Sequence, residues 1–286
     1  MRDKIIYLNN GILKVGVNLY GGAFYSVCDL RMGEELMWQG QAPWNSRDIV
    51  LFPLVARQKD GYYLHAGKRY EADIHGFAKD SVFSLESNSG EEAILLLESS
   101  PETLKVYPFS FRLRLFYSIK ENTVGLKYSV ENVGAETMYF MLGGHIGMAL
   151  DGDSDTKGNV FSFSPPVSRV YPLDGNFILP AADCSPIKSF EADKEFFRKN
   201  NTLLTVGGGA TEVTLRRSCG REIVFNADSP VIAFWSNPGG GTFACVEPWW
   251  GVPDASEPVR ELKDKELVNA LESGGIFTCG YSFTVK

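Results

Sequence analysis

The chain has 286 residues, of which 44% are hydrophobic and 22% charged, a composition typical of globular proteins. A compact body of this size buries about three quarters of the surface of its unfolded chain, so its size demands neither a disulfide nor a structural metal. The net charge is −7, from 28 basic and 35 acidic residues, and both signs are scattered along the chain. Because nucleic-acid binding requires a concentrated basic surface, we expect no nucleic-acid partner.

No segment has the features of a membrane span or a secretory signal. The longest nearly uncharged apolar stretch, residues 137–150, is well short of the ~20 residues that cross a bilayer. The first ten residues turn polar without forming an apolar signal-peptide core. The cysteines are odd in number and widely spaced, as is typical of free thiols in a reducing compartment: Cys28, Cys184, Cys219, Cys245 and Cys279. We therefore predict a cytoplasmic protein with no membrane partner.

Short β-strands dominate the pattern along the chain. We predict strands, in chain order, at residues 12–17, 24–30, 93–97, 111–119, 124–130, 211–215, 222–226, 231–235, 243–246 and 277–285. In the fourth strand Phe111, Leu113 and Leu115 alternate with Arg112 and Arg114, the period of two that buries one face of a strand. A polar turn at residues 121–122 separates this strand from the next, which predicts an antiparallel hairpin.

Helical patterns are few. Residues 191–199 and 263–271 could each form about two turns, but neither repeats an apolar face long enough to build a helical layer. Many short strands joined by turns predict an all-β, mostly antiparallel sandwich. No linker or repeat divides the chain, so we predict one domain over residues 1–286.

Two loop motifs lack the residues that their usual functions require. Residues 151–155 have the alternating acids of a calcium loop, but Thr156 stands where that loop needs glycine and Ser162 where it needs glutamate. Gly239, Gly241 and Ala244 fit a loose dinucleotide-binding pattern, yet a strand-like segment follows where a helix should begin. A turn between strands explains the glycines better.

The three histidines differ in their surroundings. His65 lies between a predicted strand and a turn, which is typical of a structural or solvent-facing residue. His75 precedes a glycine that would allow close backbone approach to a ligand, and it could equally be structural. His145 follows two glycines in an apolar segment, where it is either a buried core residue or a functional one.

Glu247 ends an apolar run and is followed by Pro248, Trp249 and Trp250. A buried acid is costly without a purpose, and flat aromatic faces are well suited to packing against sugar rings. The alternative is a glutamate at a strand end that reaches solvent, with the tryptophans in the core.

Taken in order, these motifs resemble the aldose 1-epimerase, or galactose mutarotase-like, family, and most closely its bacterial LacX-type branch. The resemblance covers nearly the whole chain and rests on residues 13–30 with Gly21-Gly22-Ala23, Glu35-Leu36-Met37-Trp38, Trp44, Leu51-Phe52-Pro53-Leu54-Val55-Ala56-Arg57, Lys59-Asp60-Gly61, His75-Gly76-Phe77-Ala78-Lys79-Asp80, Gly143-Gly144-His145 and Glu247-Pro248-Trp249.

The resemblance implies a β-supersandwich with an open sugar-binding cleft and interconversion of the α and β anomers of a free aldose, without cofactor or metal. It implies that Glu247 is the general base and His145 the general acid. It further implies that His75 and Arg57 bind the sugar, with Trp249 and Asp254 lining the cleft. The expected partner is a monosaccharide or a derivative of one, and the expected assembly is a monomer or homodimer.

The residue types fit this chemistry, because ring opening needs a base at the anomeric hydroxyl and an acid at the ring oxygen. With ordinary pKa values of roughly 4.3 and 6.5, an ionised glutamate could accept the first proton and a histidine could supply the second.

Other possibilities remain open at this stage. Residues 215–221 carry arginines near the place where studied galactose mutarotases have a substrate-binding aspartate. Those arginines could meet an anionic sugar or form a solvated strand pair. A sugar-binding or sensing protein on the same fold is one alternative function. The other is a carbohydrate-cleaving enzyme that uses Glu247 and Asp254 as paired carboxylates.

Overall fold

The structure, a computed structural model, describes residues 4–152, 156–207 and 212–286. Residues 153–155 of the calcium-like loop and residue 211 of a predicted strand lie outside these ranges. Among the described residues, no helix is both long and apolar enough to cross a bilayer.

Strands form most of the described chain. In chain order they are β1 (Ile5–Asn9), β2 (Leu13–Asn18), β3 (Phe24–Asp29), β4 (Glu34–Glu35), β5 (Val50–Leu51), β6 (Tyr62–His65), β7 (Lys68–Glu71), β8 (Ser84–Asn88), β9 (Glu92–Glu98), β10 (Phe111–Lys120), β11 (Thr123–Asn132), β12 (Met138–Phe140), β13 (Leu142–Gly144), β14 (Ile146–Ala149), β15 (Val160–Tyr171), β16 (Leu173–Asp174), β17 (Phe177–Ile178), β18 (Ala182–Glu191), β19 (Thr202–Val206), β20 (Glu212–Arg216), β21 (Glu222–Ala227), β22 (Val231–Trp235), β23 (Phe243–Trp250), β24 (Asn269–Leu271) and β25 (Ile276–Val285). Every predicted strand is confirmed within the described residues.

The strands form one large antiparallel sheet and four small ones. The large sheet has 15 strands, 13 of which follow the order β5-β13-β23-β22-β19-β15-β20-β21-β25-β11-β10-β9-β8, while β14 pairs with β23 and β18 with β15. The predicted hairpin is β10–β11, which pairs from Phe111–Asn132 to Lys120–Thr123. Along β10 the side chains are alternately buried and partly exposed, as the period of two predicts.

The helices are short: α1 (Thr103–Val106), α2 (Lys194–Asn200) and single 3₁₀ turns at Lys59–Gly61, Ala78–Asp80 and Leu262–Asp264. The helix predicted at residues 191–199 is α2, which begins after Asp193, whose carboxylate accepts the Phe196 N–H at 2.7 Å.

The helix predicted at residues 263–271 is wrong beyond its first turn. Leu267 adopts a left-handed φ of 52°, which ends any helix. The next residues form β24, which pairs with β12 from Asn269–Phe140 to Leu271–Met138. Pairing with a distant strand therefore overrides a weak local helical preference.

Candidate active site

Strand register brings His145 and Glu247 together. β13 pairs Gly143 with Trp249, and β14 pairs Ile146 with Val246. Both pairings share one register, so His145, the single residue between the two strands, lies opposite Glu247. His145 Nε2 is 3.2 Å from Glu247 Oε2, and both side chains are buried.

Aromatic rings enclose this pair. The Trp44 ring stacks on the His145 imidazole with centroids 5.2 Å apart, and Trp235 meets the imidazole edge-on at 5.7 Å. Gly147 provides the space for this packing, because a Cβ there would lie 2.6 Å from Trp44 Cζ3. Trp44 therefore shapes the site, a role that the sequence analysis did not assign to it.

Burial changes the protonation of the pair. It raises the pKa of Glu247 well above its ordinary value, with the Trp249 indole acting in the opposite direction and the Asp48 carboxylate adding to the rise. Burial also lowers the pKa of His145 to about 3. Burial therefore favours a carboxylic acid beside a neutral imidazole over the ionised pair. The aromatic rings around the pair contribute to this burial.

His75 lies beside the pair, with its ring edge-on to His145 and the centroids 5.3 Å apart. Its Nδ1 accepts the Ala56 N–H at 3.1 Å. The pKa of His75 is well below its ordinary value, mainly because of burial and secondly because of the neighbouring His145. His75 is therefore neutral, and its proton is on Nε2, where it is available for donation.

Gly76 is required by packing rather than by ligand approach. Its φ is 70°, and a Cβ would lie 2.3 Å from the Phe52 carbonyl oxygen. That oxygen accepts the N–H groups of Phe77 and Ala78 at 3.0 and 3.1 Å. The glycine thus allows this loop to fold against β5 and hold His75 at the site.

Asp48 is a buried carboxylate that the sequence analysis missed. Its Oδ2 accepts the Phe24 N–H at 2.9 Å, and its Oδ1 accepts the His145 N–H at 3.3 Å. Burial raises the pKa of Asp48 to about 6, although backbone N–H groups, including that of Ile49, favour the ionised form. Asp48 therefore fixes the backbone of His145. Its local sequence carries no motif that would have marked it.

A cavity of about 650 Å³ opens over these residues, a volume within the usual range for small-molecule sites. Its lining includes His75, His145, Glu247, Arg57 and Trp249 from the predicted site. It also includes polar groups that the sequence analysis did not single out as ligands: Ser46, Lys79, Asp80, Asn176, Asn201 and Thr202. Within the described residues, the Arg57 guanidinium has no hydrogen-bond or ion-pair partner, and the side chain is exposed.

Asp254 is not part of the cavity lining. Its carboxylate forms an ion pair with Lys265, and both side chains are 3% exposed. Its second oxygen accepts the Lys59 N–H at 2.8 Å. The predicted place of Asp254 in the cleft is therefore not supported, because the protein itself occupies both carboxylate oxygens.

The arginines of residues 215–221 also lie outside the cavity lining. Arg217 is buried and forms ion pairs with Glu34 and Asp151. Arg221 contacts Glu34 at 2.8 Å and Asp29 at 3.2 Å. The charges of Arg217 and Arg221 are therefore neutralised within the protein, whereas Arg216 is exposed on β20, opposite Glu222 of β21, as the solvated strand pair predicts.

His65 ends β6 and packs against Phe109, with ring centroids 4.7 Å apart. It does not line the cavity. This placement agrees with the structural interpretation of His65.

The sequence model described as aldose 1-epimerase matches residues 4–200. The chain therefore belongs to the aldose 1-epimerase family, which confirms the resemblance carried by its motifs.

Individual relatives agree with this assignment. Protein LacX from Lactococcus lactis subsp. lactis is 25% identical over 282 residues, covering 92% of this chain and 93% of LacX. A galactose mutarotase related enzyme from Lactobacillus acidophilus is 31% identical, with a TM-score of 0.93 over 99% of this chain and 97% of its own. A galactose mutarotase-like protein from Lactobacillus casei ATCC 334 has a TM-score of 0.91 over 99% of this chain and 100% of its own. At 22% identity it supports the fold alone. The all-β, galactose mutarotase-like fold is thus confirmed.

Replacing Asp48 by asparagine is expected to change the pH dependence of stability. The folded-state pKa of Asp48, about 6, lies above the ordinary value of 3.8. The contribution of Asp48 to the free energy of unfolding is therefore greatest below about pH 4 and is lost as the pH rises through 6. The advantage of wild type over Asp48→Asn should therefore shrink by about 2–3 kcal/mol between pH 4 and 7.5. Urea unfolding at several pH values measures this difference.

Asp29→Asn is the matched control, since Asp29 is also buried and bonded to a backbone N–H. The Arg31 guanidinium lowers the pKa of Asp29, so the corresponding difference should stay nearly flat above pH 4. If the stability difference between wild type and Asp48→Asn were also independent of pH, the raised pKa of Asp48 would be contradicted.

Proposed function

We propose that this protein is a cofactor-independent aldose 1-epimerase that interconverts the α and β anomers of a free aldose or a related sugar. The observation that carries the proposal is the 3.2 Å contact between His145 Nε2 and Glu247 Oε2 in the wall of a sugar-sized cavity. Membership of the aldose 1-epimerase family supports it independently.

The pair provides a base and an acid for the two oxygen atoms that are bonded to the anomeric carbon of the sugar. In the reactive state the proton of the pair is on His145 as an imidazolium, and Glu247, 3.2 Å away, is a carboxylate. Glu247 then removes the proton from the anomeric hydroxyl as His145 protonates the ring oxygen, and the bond between C1 and that oxygen breaks. The aldehyde rotates about the C1–C2 bond, and the same transfers in reverse close the ring on either face.

The remaining groups bind and orient the sugar. His75 presents its Nε2–H beside His145, where it can donate to the ring oxygen as charge develops there. Arg57, which is exposed on the cavity lining, can donate to sugar hydroxyls. Trp249 offers an apolar face to the sugar ring. Asp254 stabilises the surrounding loops through Lys265 rather than touching the sugar.

Saturation-transfer NMR on a panel of free aldoses and sugar phosphates tests the proposal. We expect the protein to accelerate anomer exchange of at least one sugar above the buffer rate. Binding of a sugar without faster exchange would support a sensing protein instead. Cleavage of a glycosidic substrate would support a carbohydrate-cleaving enzyme. Fractionation of the producing cell tests the predicted cytoplasmic location.

Arg57→Met is expected to weaken substrate binding more than it slows chemistry. The loss of a charged hydrogen bond costs about 1.5–3 kcal/mol, which corresponds to a KM increase of roughly 10–100-fold with a smaller change in kcat. Steady-state kinetics on the preferred sugar measures both constants. Arg69→Met is the control, because Arg69 is exposed, contacts Glu71 and the Tyr62 ring, and does not line the cavity. An unchanged KM in Arg57→Met would remove Arg57 from the binding site.

A further inference from the structure

Cys245 lies directly behind the proposed acid–base pair. It precedes Glu247 by two residues on β23, so both side chains point to the same face of the strand. The register places Cys245 opposite Gly147, two pairs along the strands from His145 and Glu247. The potential ligand atoms of His145, Cys245 and Glu247 all lie within 4.8 Å of one another, and all three residues are buried.

Two polar atoms of this cluster lack a good hydrogen bond. Within the described residues, His145 Nδ1 has no hydrogen-bond partner, and Glu247 Oε2 contacts His145 Nε2 without favourable hydrogen-bond geometry. Buried polar groups usually have such partners, so these atoms retain unused capacity to bind a ligand.

The donor set suits a thiophilic divalent cation. Imidazole nitrogen, thiolate sulfur and carboxylate oxygen are the ligands of Zn²⁺, at bond lengths of about 2.0–2.3 Å. A tetrahedron with such bonds separates its ligand atoms by roughly 3.3–3.8 Å, so atoms within 4.8 Å of one another need to approach by at most about 1.5 Å. The cavity beside Glu247 leaves a fourth position for water.

Charge also favours a divalent ion here. One thiolate and one carboxylate cancel two positive charges, so the buried site would be neutral with the cation bound. Asp48 is close enough for its charge to act on both Cys245 and Glu247, which adds negative potential. Two cationic side chains, Arg57 and Lys79, line the adjoining cavity, and the charge of Lys79 is balanced there by its ion pair with Asp80.

We propose that His145, Cys245 and Glu247 form an inhibitory site for a thiophilic divalent cation such as Zn²⁺. Binding forms one bond each to nitrogen, sulfur and oxygen, and it releases the Cys245 thiol proton and the Glu247 carboxyl proton to water. The ion engages the imidazole of His145 and the carboxylate of Glu247, the two groups that would move protons in catalysis, so it blocks anomer exchange. Only this inhibition rests on the proposed function, whereas the binding itself does not.

Cobalt spectroscopy tests the binding directly. We expect Co²⁺ to produce a near-ultraviolet thiolate-to-cobalt charge-transfer band at one ion per chain, and Zn²⁺ to displace it. Cys28, Cys184 and Cys219, the cysteines that are partly or fully exposed, are replaced by serine in every protein compared, so that no solvent-accessible thiol contributes. Cys245→Ser should abolish the band and weaken Zn²⁺ binding at least tenfold. Cys279→Ser, which alters another buried cysteine, should preserve both.

Further variants keep the outcome decisive. If circular dichroism shows that Cys245→Ser is unfolded, His145→Gln replaces it and should weaken Zn²⁺ binding although the Cys245 thiol remains. Absence of the band in the starting protein, or its persistence in Cys245→Ser, would overturn the site. Zn²⁺ binding in a protein that exchanges no sugar anomers would contradict the proposed function alone. Anomer exchange that Zn²⁺ leaves unchanged would contradict the inhibition.

Discussion

Glu247→Gln is expected to lower the rate of anomer exchange by about 10²–10⁴-fold, the usual contribution of one positioned proton transfer. Glutamine fills the same space and resembles the protonated carboxyl that burial favours, but it cannot accept the anomeric proton. We therefore expect sugar binding to survive largely intact. Saturation-transfer NMR measures the exchange rate, and ligand titration measures the affinity.

The same substitution has a signature in stability. Because the folded-state pKa of Glu247 is raised, its contribution to wild-type stability is full below about pH 4.5 and declines as the pH rises towards the folded value. Glu247→Gln lacks this decline, so its stability relative to wild type should improve with pH. Retention of full activity in Glu247→Gln would remove Glu247 from the mechanism.

Glu71→Gln is the matched control for this experiment. Glu71 ends β7 with 69% of its side chain exposed, and it does not line the cavity. The substitution makes the same chemical change at the surface. Both the rate of exchange and the pH dependence of stability should remain at the wild-type values.

Lys265→Met is expected to destabilise the fold by about 3–5 kcal/mol, because it leaves the buried Asp254 carboxylate without its cation. Lys265 also donates to the Val259 carbonyl at 3.1 Å. Asp254 would keep the Lys59 N–H as its remaining partner in the described structure. Urea unfolding at neutral pH gives the loss directly.

A double variant separates the buried charge from side-chain packing. Lys265→Met combined with Asp254→Asn should recover part of the lost stability, because no charge is then left unpaired. Arg69→Met breaks an exposed ion pair and should cost no more than about 1 kcal/mol. An equal loss of stability in Lys265→Met and Arg69→Met would show that the buried ion pair contributes no more than the exposed one. Any loss of activity in Asp254→Asn is therefore expected to result from unfolding of the protein.

Local sequence patterns were sufficient for most of the strands. Alternation of apolar and polar residues, as along β10, identifies a strand because it reflects which side chains face the core. The same reasoning failed at residues 263–271, because the residues that pair with β24 lie in β12, far away in sequence. A weak helical pattern carries no information about such a partner.

The order and periodicity of residues were enough to predict the all-β class, the family motifs and the choice of His145 and Glu247 as candidate residues. These features follow from local periodicity and from the order of short motifs. Only the tertiary structure decided that the two side chains lie 3.2 Å apart, that Asp48 supports the His145 backbone, and that Asp254 belongs to an ion pair. Those relations depend on strand register and burial, which bring together residues that are distant in the chain. Burial also shifts the pKa values of Glu247 and His145, because the surrounding residues exclude water. No local sequence pattern records which residues those are.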